Sequence, residues 1–365
     1  MEDNRSYEAI VVGGGHAGVE ASLALSRTGV KTLLITLNFD GVSFLACNPS
    51  IGGTAKGQLV SEIDALGGQM GISADLATLQ LRLLNESKGP AVHSLRAQVD
   101  KDQYHNIMLQ VLQNQPNLDI TEGEASDILT EKGCVCGVVT ADGRKFKTKA
   151  VVICTGVYLN SRTITGEIIK DSGPAGFKNS KNLTQSLVKL GFKIVRFKTG
   201  TPPRLDHNTI DYSKFVEQKG EDNIQTFSYM SDFKPKNILS CYLGYTNHLT
   251  HKIILDNLDR APMYSGTIVG VGPRYCPSIE TKIVRFKDKD RHQLFLEPET
   301  IKNDSIYLQG MSTSMPQDIQ NQMVASIAGL EKTAILKYGY AIEYDAIDCT
   351  DLFPTLGFKK VKGIY

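Results

Sequence analysis

Cys47 and Cys276 differ from the other five cysteines of this 365-residue sequence in what surrounds them. Cys47 opens the run Cys47-Asn48-Pro49-Ser50-Ile51-Gly52-Gly53. Cys276 lies in Gly270-Val271-Gly272-Pro273-Arg274-Tyr275-Cys276-Pro277-Ser278-Ile279-Glu280. Proline restrains the backbone and glycine leaves room for a ligand, so each loop can present a thiol on a fixed frame. Arg274, two residues before Cys276, would favour the thiolate if their side chains converge. Cys134, Cys136, Cys154, Cys241 and Cys349 read instead as small hydrophobes. Seven is an odd number, and no spacing suits a disulfide framework or a zinc site. The cysteines therefore imply a reducing, cytoplasmic setting, thiol chemistry and no bound metal.

A second chemical element is Gly13-Gly14-Gly15-His16-Ala17-Gly18. Its Gly-x-Gly-x-x-Gly spacing follows an apolar run at 8–12 and precedes a small-residue helical pattern over 17–27, closed by Gly29. The first glycine permits a tight turn, the second lets backbone approach a pyrophosphate, and the third lets helix and strand pack closely. We read this turn as a dinucleotide site whose ligand is FAD. The acidic residue expected about 20 positions on is missing from its usual place. A strand over 31–36 ends at Thr36, Asn38 follows, and Asp40 falls past it, so a neutral Thr or Asn would hold the ribose. Ala150-Val151-Val152-Ile153-Cys154-Thr155-Gly156 has the form of a strand that returns beside the phosphate loop in two-dinucleotide-fold flavoproteins. Basic residues gather around Arg82, Lys88, His93 and Arg96, and again around Arg196, Lys198 and Arg204. Either group could meet phosphate or be surface charge. His292, Glu297 and Glu299 form either an acid/base set or a charged loop.

These loops need a sheet to hold them, and the sequence supplies one. Short β-branched runs alternate with helical patterns through the first 160 residues, which indicates an α/β fold. A helix is expected over 100–113, a hairpin around Asp142-Gly143, and a buried strand over 149–155. Residues 201–272 change character, with prolines, lone aromatics and no sustained period. Helical spacing returns at 317–336. The expected architecture is a Rossmann-like FAD-binding domain of the two-dinucleotide-fold type, with an inserted α+β domain. Its first part covers 1–200, the insertion 201–274, and its second part 275–365. Lys and Arg total 40 against 39 for Asp and Glu, so any nucleic-acid surface is a local patch. No apolar run reaches the ~18 residues of a membrane span.

Taken together, these motifs resemble the MnmG (GidA) family of tRNA uridine 5-carboxymethylaminomethyl modification enzymes. Ser87-Lys88-Gly89-Pro90-Ala91-Val92, Lys198-Thr199-Gly200-Thr201-Pro202-Pro203-Arg204, Met311-Ser312-Thr313-Ser314-Met315-Pro316 and Gly339-Tyr340-Ala341-Ile342-Glu343-Tyr344-Asp345 add to the likeness, as does the stretch from His292 to Glu299. The resemblance implies an FAD- and NADH-dependent enzyme acting with the GTPase MnmE on the wobble uridine of tRNA. Methylenetetrahydrofolate would give the one-carbon unit, and glycine or ammonium the nitrogen. It implies catalytic roles for Cys47 and Cys276, with the division between them open. FAD contacts would come from Gly13, Gly14, Gly15, His16, Ala17 and Gly18, with Ala125 and Ser180. The stretch associated with NAD would include Gly272, Pro273, Arg274, Tyr275, Pro277, Ser278, Ile279 and Glu280. A homodimer is implied for the full-length family member. The family continues beyond the position of Tyr365 with a Phe-Ala-Gly-Gln-type flavin loop and a helical domain for MnmE and tRNA. The sequence therefore reads as an N-terminal portion. The alternatives are an FAD/NAD-binding module without tRNA chemistry and a related folate-dependent tRNA uridine methyltransferase.

Overall fold

A computed structural model describes residues 5–223, 225–273 and 276–365. Its centre is a parallel sheet in the order Ala150–Ile153, Ala9–Val12, Thr32–Thr36 and Leu118–Glu122. Ala9–Val12 and Thr32–Thr36 are buried along their whole length, as strands covered on both faces must be. Side-chain alternation divides them between two cores. Ile10, Val12, Leu33 and Ile35 pack with Ile128, Val138 and Phe146 of an antiparallel three-stranded sheet. Val11 and Leu34 pack with Val19 and Leu23 of helix His16–Arg27 and with Tyr104, Met108 and Leu112 of helix Lys101–Gln113.

Local sequence explains several of these elements. Asp100 caps the second helix by accepting from the Gln103 N–H, leaving Lys101–Gln113 helical as the spacing predicts. Gly29, at φ +88°, ends the first helix, and Gly143, at φ +87°, makes the turn of the expected hairpin. Residues 363–365 run beside Ala150–Ile153, where Val151 donates to the Gly363 carbonyl and Ile153 to that of Tyr365.

The middle of the chain forms its own antiparallel sheet. Its order is Val216–Gln218, Cys241–Tyr245, Gln293–Pro298, Ser305–Gln309, Arg204–Asp206 and Ile335–Lys337. A separate core fills behind it, from Leu205 to Leu330. Strand pairing therefore carries this unit across the boundary expected at 274/275, because Cys241–Tyr245 pairs with Gln293–Pro298. Helical spacing over 317–336 yields a helix only at Gln317–Ala325. Ile327 and Leu330 keep the apolar spacing by packing into the core from turns, with Gly329 at φ +90°. The segment leading into this unit, Ile194–Thr201, pairs over its full length with the one leading out, Tyr340–Ile347.

Buried ion pairs dock the insertion on the parallel-sheet unit. Glu297 accepts from Arg96 at 2.5 Å, and Glu299 from Lys101 at 2.9 Å and Arg204 at 3.4 Å. Nearby, the Lys101 N–H donates to the Glu299 carbonyl, and the Ile301 N–H to Asp100. Burial raises the Glu297 pKa. Burial also acts to raise Glu299, but Lys101 and Arg204 hold it below the ordinary carboxylate value. The two carboxylates are thus structural, and His292 lies elsewhere, its ring 5.4 Å from that of His251.

Glu299→Gln strands two buried cations, and urea unfolding at neutral pH should find it about 3 kcal/mol less stable than the parent. A depressed pKa contributes stability above its unfolded value that is lost as pH falls through the folded one. The gap between variant and parent should therefore narrow below pH ~4.

Candidate functional site

Two clefts meet at the start of helix His16–Arg27. The first encloses about 610 Å³, counting its open mouth. It is lined by Gly13, Gly14 and Gly15, by Thr36 and Asn38, by Gly123 and Ala125, by Cys154, Thr155, Gly156 and Tyr158, and by Ser180. Ala125 and Ser180 thus line the same cleft as the glycine loop. Gly123, the Cys154–Gly156 turn and Tyr158 join them too. The Thr-Gly strand end signalled that turn, whereas nothing in the sequence marked Tyr158.

Each glycine answers a different constraint. A Cβ on Gly13 would lie 2.1 Å from the Cys154 carbonyl oxygen, and one on Gly18 1.8 Å from that of Gly13. These two permit close packing of strand and helix. A Cβ on Gly15 would meet nothing within 4 Å. It would stand in open space at a helix N-terminus that no side chain caps, where unpaired N–H groups attract an anion. Ala17 is exposed on the first turn. Asn38 stands where an acidic residue would meet a ribose, its side-chain oxygen accepting from the Gly41 N–H, while Asp40 is exposed outside the cleft.

The second cleft, of about 1190 Å³ counting its open mouth, is lined by His16, Phe44, Cys47, Lys56, Thr199, Gly200, Thr201 and Tyr340, among others. His16 therefore faces this cleft, away from the glycine loop. Burial lowers its pKa to about 4, so it is a neutral imidazole at neutral pH, with Nδ1 unpartnered. The Cys47 sulfur lies 4.0 Å from the Gly200 carbonyl oxygen and 3.9 Å from the Tyr307 hydroxyl. Cys276 lies 3.1 Å from the Thr199 hydroxyl. Two loops far apart in sequence thus deliver their thiols to consecutive residues of one strand.

Electrostatics tie the thiols together. Cys47 is accessible through the cleft but otherwise packed in protein, and this burial raises its pKa. The charge of Cys276 raises it further, while Tyr307, Arg204 and Lys101 oppose the shift. Cys276 is placed by the segment before it. Glu343, wholly buried, accepts from the Val269 and Gly270 N–H groups and from Arg162. The Lys198 N–H then donates to the Val271 carbonyl.

The rest of the stretch expected to meet NAD divides. Gly272 lies against Lys198, and Pro273 is exposed; Arg274 and Tyr275 lie outside the described residues. Pro277 is half-buried. Ser278 caps helix Ile279–Arg285, Ile279 enters the core, and Glu280 accepts from Thr313 and from the Ser314 N–H. These last three are occupied inside the insertion and do not reach the first cleft. The four arginines of the basic groups also have partners: Arg82 pairs with Glu221, Arg96 with Glu297, Arg196 with Asp345 and Arg204 with Glu299.

Residues 8–365 match the family described as Glucose inhibited division protein A. The chain belongs to the GidA family. It is 52% identical over 359 residues to the tRNA uridine 5-carboxymethylaminomethyl modification enzyme MnmG of Clostridium botulinum (strain Loch Maree / Type A3), covering 98% of this chain and 57% of that protein. Its identity to the protein of the same name from Ligilactobacillus salivarius (strain UCC118) is 53%, over 99% of this chain and 57% of that one. Crystalline Aquifex aeolicus GidA (form I) superposes with a TM-score of 0.94 at 46% identity, over 99% of this chain and 61% of that chain. The GidA chain described here thus spans 57% of the length of those curated relatives. Among the described residues, no helix is long and apolar enough to cross a membrane, and no group of His, Cys, Asp and Glu is arranged to hold a metal ion.

The glycine geometry separates folding from ligand binding. Gly13→Ala should lower the melting temperature of ligand-free protein sharply, through its clash and its φ of +110°. Gly15→Val should melt like the parent yet fail to retain a dinucleotide, read as flavin fluorescence after gel filtration.

Proposed function

We propose that this chain binds FAD in the first cleft and supplies the thiols for C5 modification of the tRNA wobble uridine, adding a carboxymethylaminomethyl or aminomethyl group. The observation that carries this reading is the convergence of Cys47 and Cys276 on Thr199 and Gly200, beside the dinucleotide helix. The glycine cradle fits FAD, with Gly15 and the helix N-terminus for the pyrophosphate and Thr36 or Asn38 for the ribose. Ala125, Tyr158 and Ser180 form the facing wall. Bound FAD supplies electron transfer, with NADH as hydride source. Methylenetetrahydrofolate supplies the one-carbon unit, and MnmE is the partner GTPase. The relatives' shared name favours this product over simple methylation.

The residues explain why two thiols are needed. C5 of uracil is a weak nucleophile. When a thiolate adds to C6, an S–C6 bond forms and the C5=C6 electron pair moves toward C5 as an enolate. C5 then attacks the one-carbon electrophile. Loss of the C5 proton to a base and expulsion of the thiolate restore the ring. Burial disfavours the Cys47 thiolate and makes it the stronger base once formed, which suits it to take the C5 proton and leaves Cys276 to add at C6.

Reconstitution with MnmE, cofactors and undermodified tRNA tests the reading. Cys47→Ser and Cys276→Ser should each lower product formation by about 100-fold or more. Cys47→Ser should still form a covalent adduct with 5-fluorouridine tRNA, whereas Cys276→Ser should not. Unchanged modification in both variants would sink the thiol mechanism. Protein that holds FAD but modifies no tRNA would reduce the chain to a binding module, and protein that cannot be reconstituted with FAD would exclude even that.

A further inference from the structure

Tyr307 is one of the largest fully buried side chains in the molecule, yet it lies in the insertion sheet, in strand Ser305–Gln309. A buried phenol needs a partner for its hydroxyl. Among the described residues, that partner is the Cys47 sulfur, at 3.9 Å. The Arg204 guanidinium lies 4.8 Å from the centre of the Tyr307 ring. Arg204 also donates to the Ala46 and Cys47 carbonyl oxygens, at 3.2 and 3.4 Å, and is itself anchored by Glu299. The insertion therefore reaches Cys47 twice, once at its backbone through Arg204 and once at its sulfur through Tyr307.

We propose that Tyr307 is a positioning residue for Cys47, its hydroxyl donating to the sulfur once the thiol loses its proton and tethering the thiolate to the insertion sheet. A thiol that has lost its proton offers only acceptor lone pairs. Tyr307 must then be the donor, while the Arg204 cation packs against its ring. Other groups that bear on Cys47 are Cys276 and Tyr340, which disfavour its anion, and Arg204 and Lys101, which favour it. His16 and Lys56 line the same cleft. Of all these, Tyr307 alone has a side-chain hydrogen bond to the sulfur among the described residues. The inference rests on the thiol role proposed for Cys47, but it concerns the ligand-free protein and can be tested without tRNA or partner.

The test is the pH profile of Cys47 alkylation by iodoacetamide, followed by mass spectrometry of the Cys47 peptide. Cys276 modification in the same digest, together with thermal melting, controls for folding. Tyr307→Phe keeps the ring beneath Arg204 and removes the donor. At pH about 8 it should slow Cys47 alkylation about tenfold, one unit of thiol pKa, and the rate should recover toward the parent value as pH rises. A purely structural role would change the rate equally at every pH, which would overturn the proposal, as would superimposable profiles. Should Tyr307→Phe fail to fold, 3-fluorotyrosine placed at 307 provides the second arm. Its more acidic phenol donates more strongly and should move the profile to lower pH; an unmoved profile would overturn the proposal. Because alkylation needs no modification activity, an inactive chain with a shifted profile would fault the proposed function and leave this inference standing.

Discussion

The antiparallel ladder between Ile194–Thr201 and Tyr340–Ile347 is the constraint on which the rest depends. It joins the chain entering the insertion to the chain leaving it, so the insertion can be large without loosening the parallel-sheet unit. Its polar face is tied by Arg196 to Asp345 at 2.6 Å, and Glu343 adds Arg162 and the amides of Val269 and Gly270. Burial acts to raise the Glu343 pKa, but those amides and Arg162 hold it below the ordinary carboxylate value. That anion fixes the start of the loop that carries Cys276. On the opposite side of the strand, Thr199 and Gly200 meet both thiols. One ladder therefore sets the unit's connection and its chemistry.

Docking of the insertion does a second job. Arg96–Glu297 and Lys101–Glu299–Arg204 are buried charges, and buried ion pairs commonly add little net stability over apolar residues of the same shape. What they supply here is register, because a one-residue slip would strand several charges in a dry interface. Arg204 links this register to the site, since its other hydrogen bonds hold the Ala46 and Cys47 carbonyls. The carboxylates that look available for catalysis are engaged in assembly.

Gly15 and His16 divide the two clefts between neighbouring residues at one helix start. The glycine side of the helix start therefore lies next to the chamber that Cys47 lines. Desolvation in that chamber keeps His16 uncharged and Cys47 protonated. Both shifts follow from packing, because burial penalises the charged form of each group.

The sequence by itself determined the parallel-sheet unit, its glycine turn and the two thiol loops. Those features are local: a run of apolar residues on both faces, a glycine wherever backbone must pass within contact distance, a proline within two residues of each loop cysteine. The lack of an acid after the second strand was equally legible, since Asn38 occupies that place. Only the tertiary structure decided what depends on distant partners. Glu297 and Glu299 read as candidates for acid/base work until Arg96, Lys101 and Arg204 were found against them. The places of Ile279 in the insertion core and of Glu280 against Thr313 were likewise set by the fold. Helical spacing over 317–336 continued as turns, because packing preserves apolar spacing without requiring a helix. Tyr307 had no signal at all, as an aromatic in an alternating strand looks like core. Its hydroxyl acquires meaning only where the fold brings it to Cys47, because a hydrogen bond is decided by geometry that no single stretch of sequence contains.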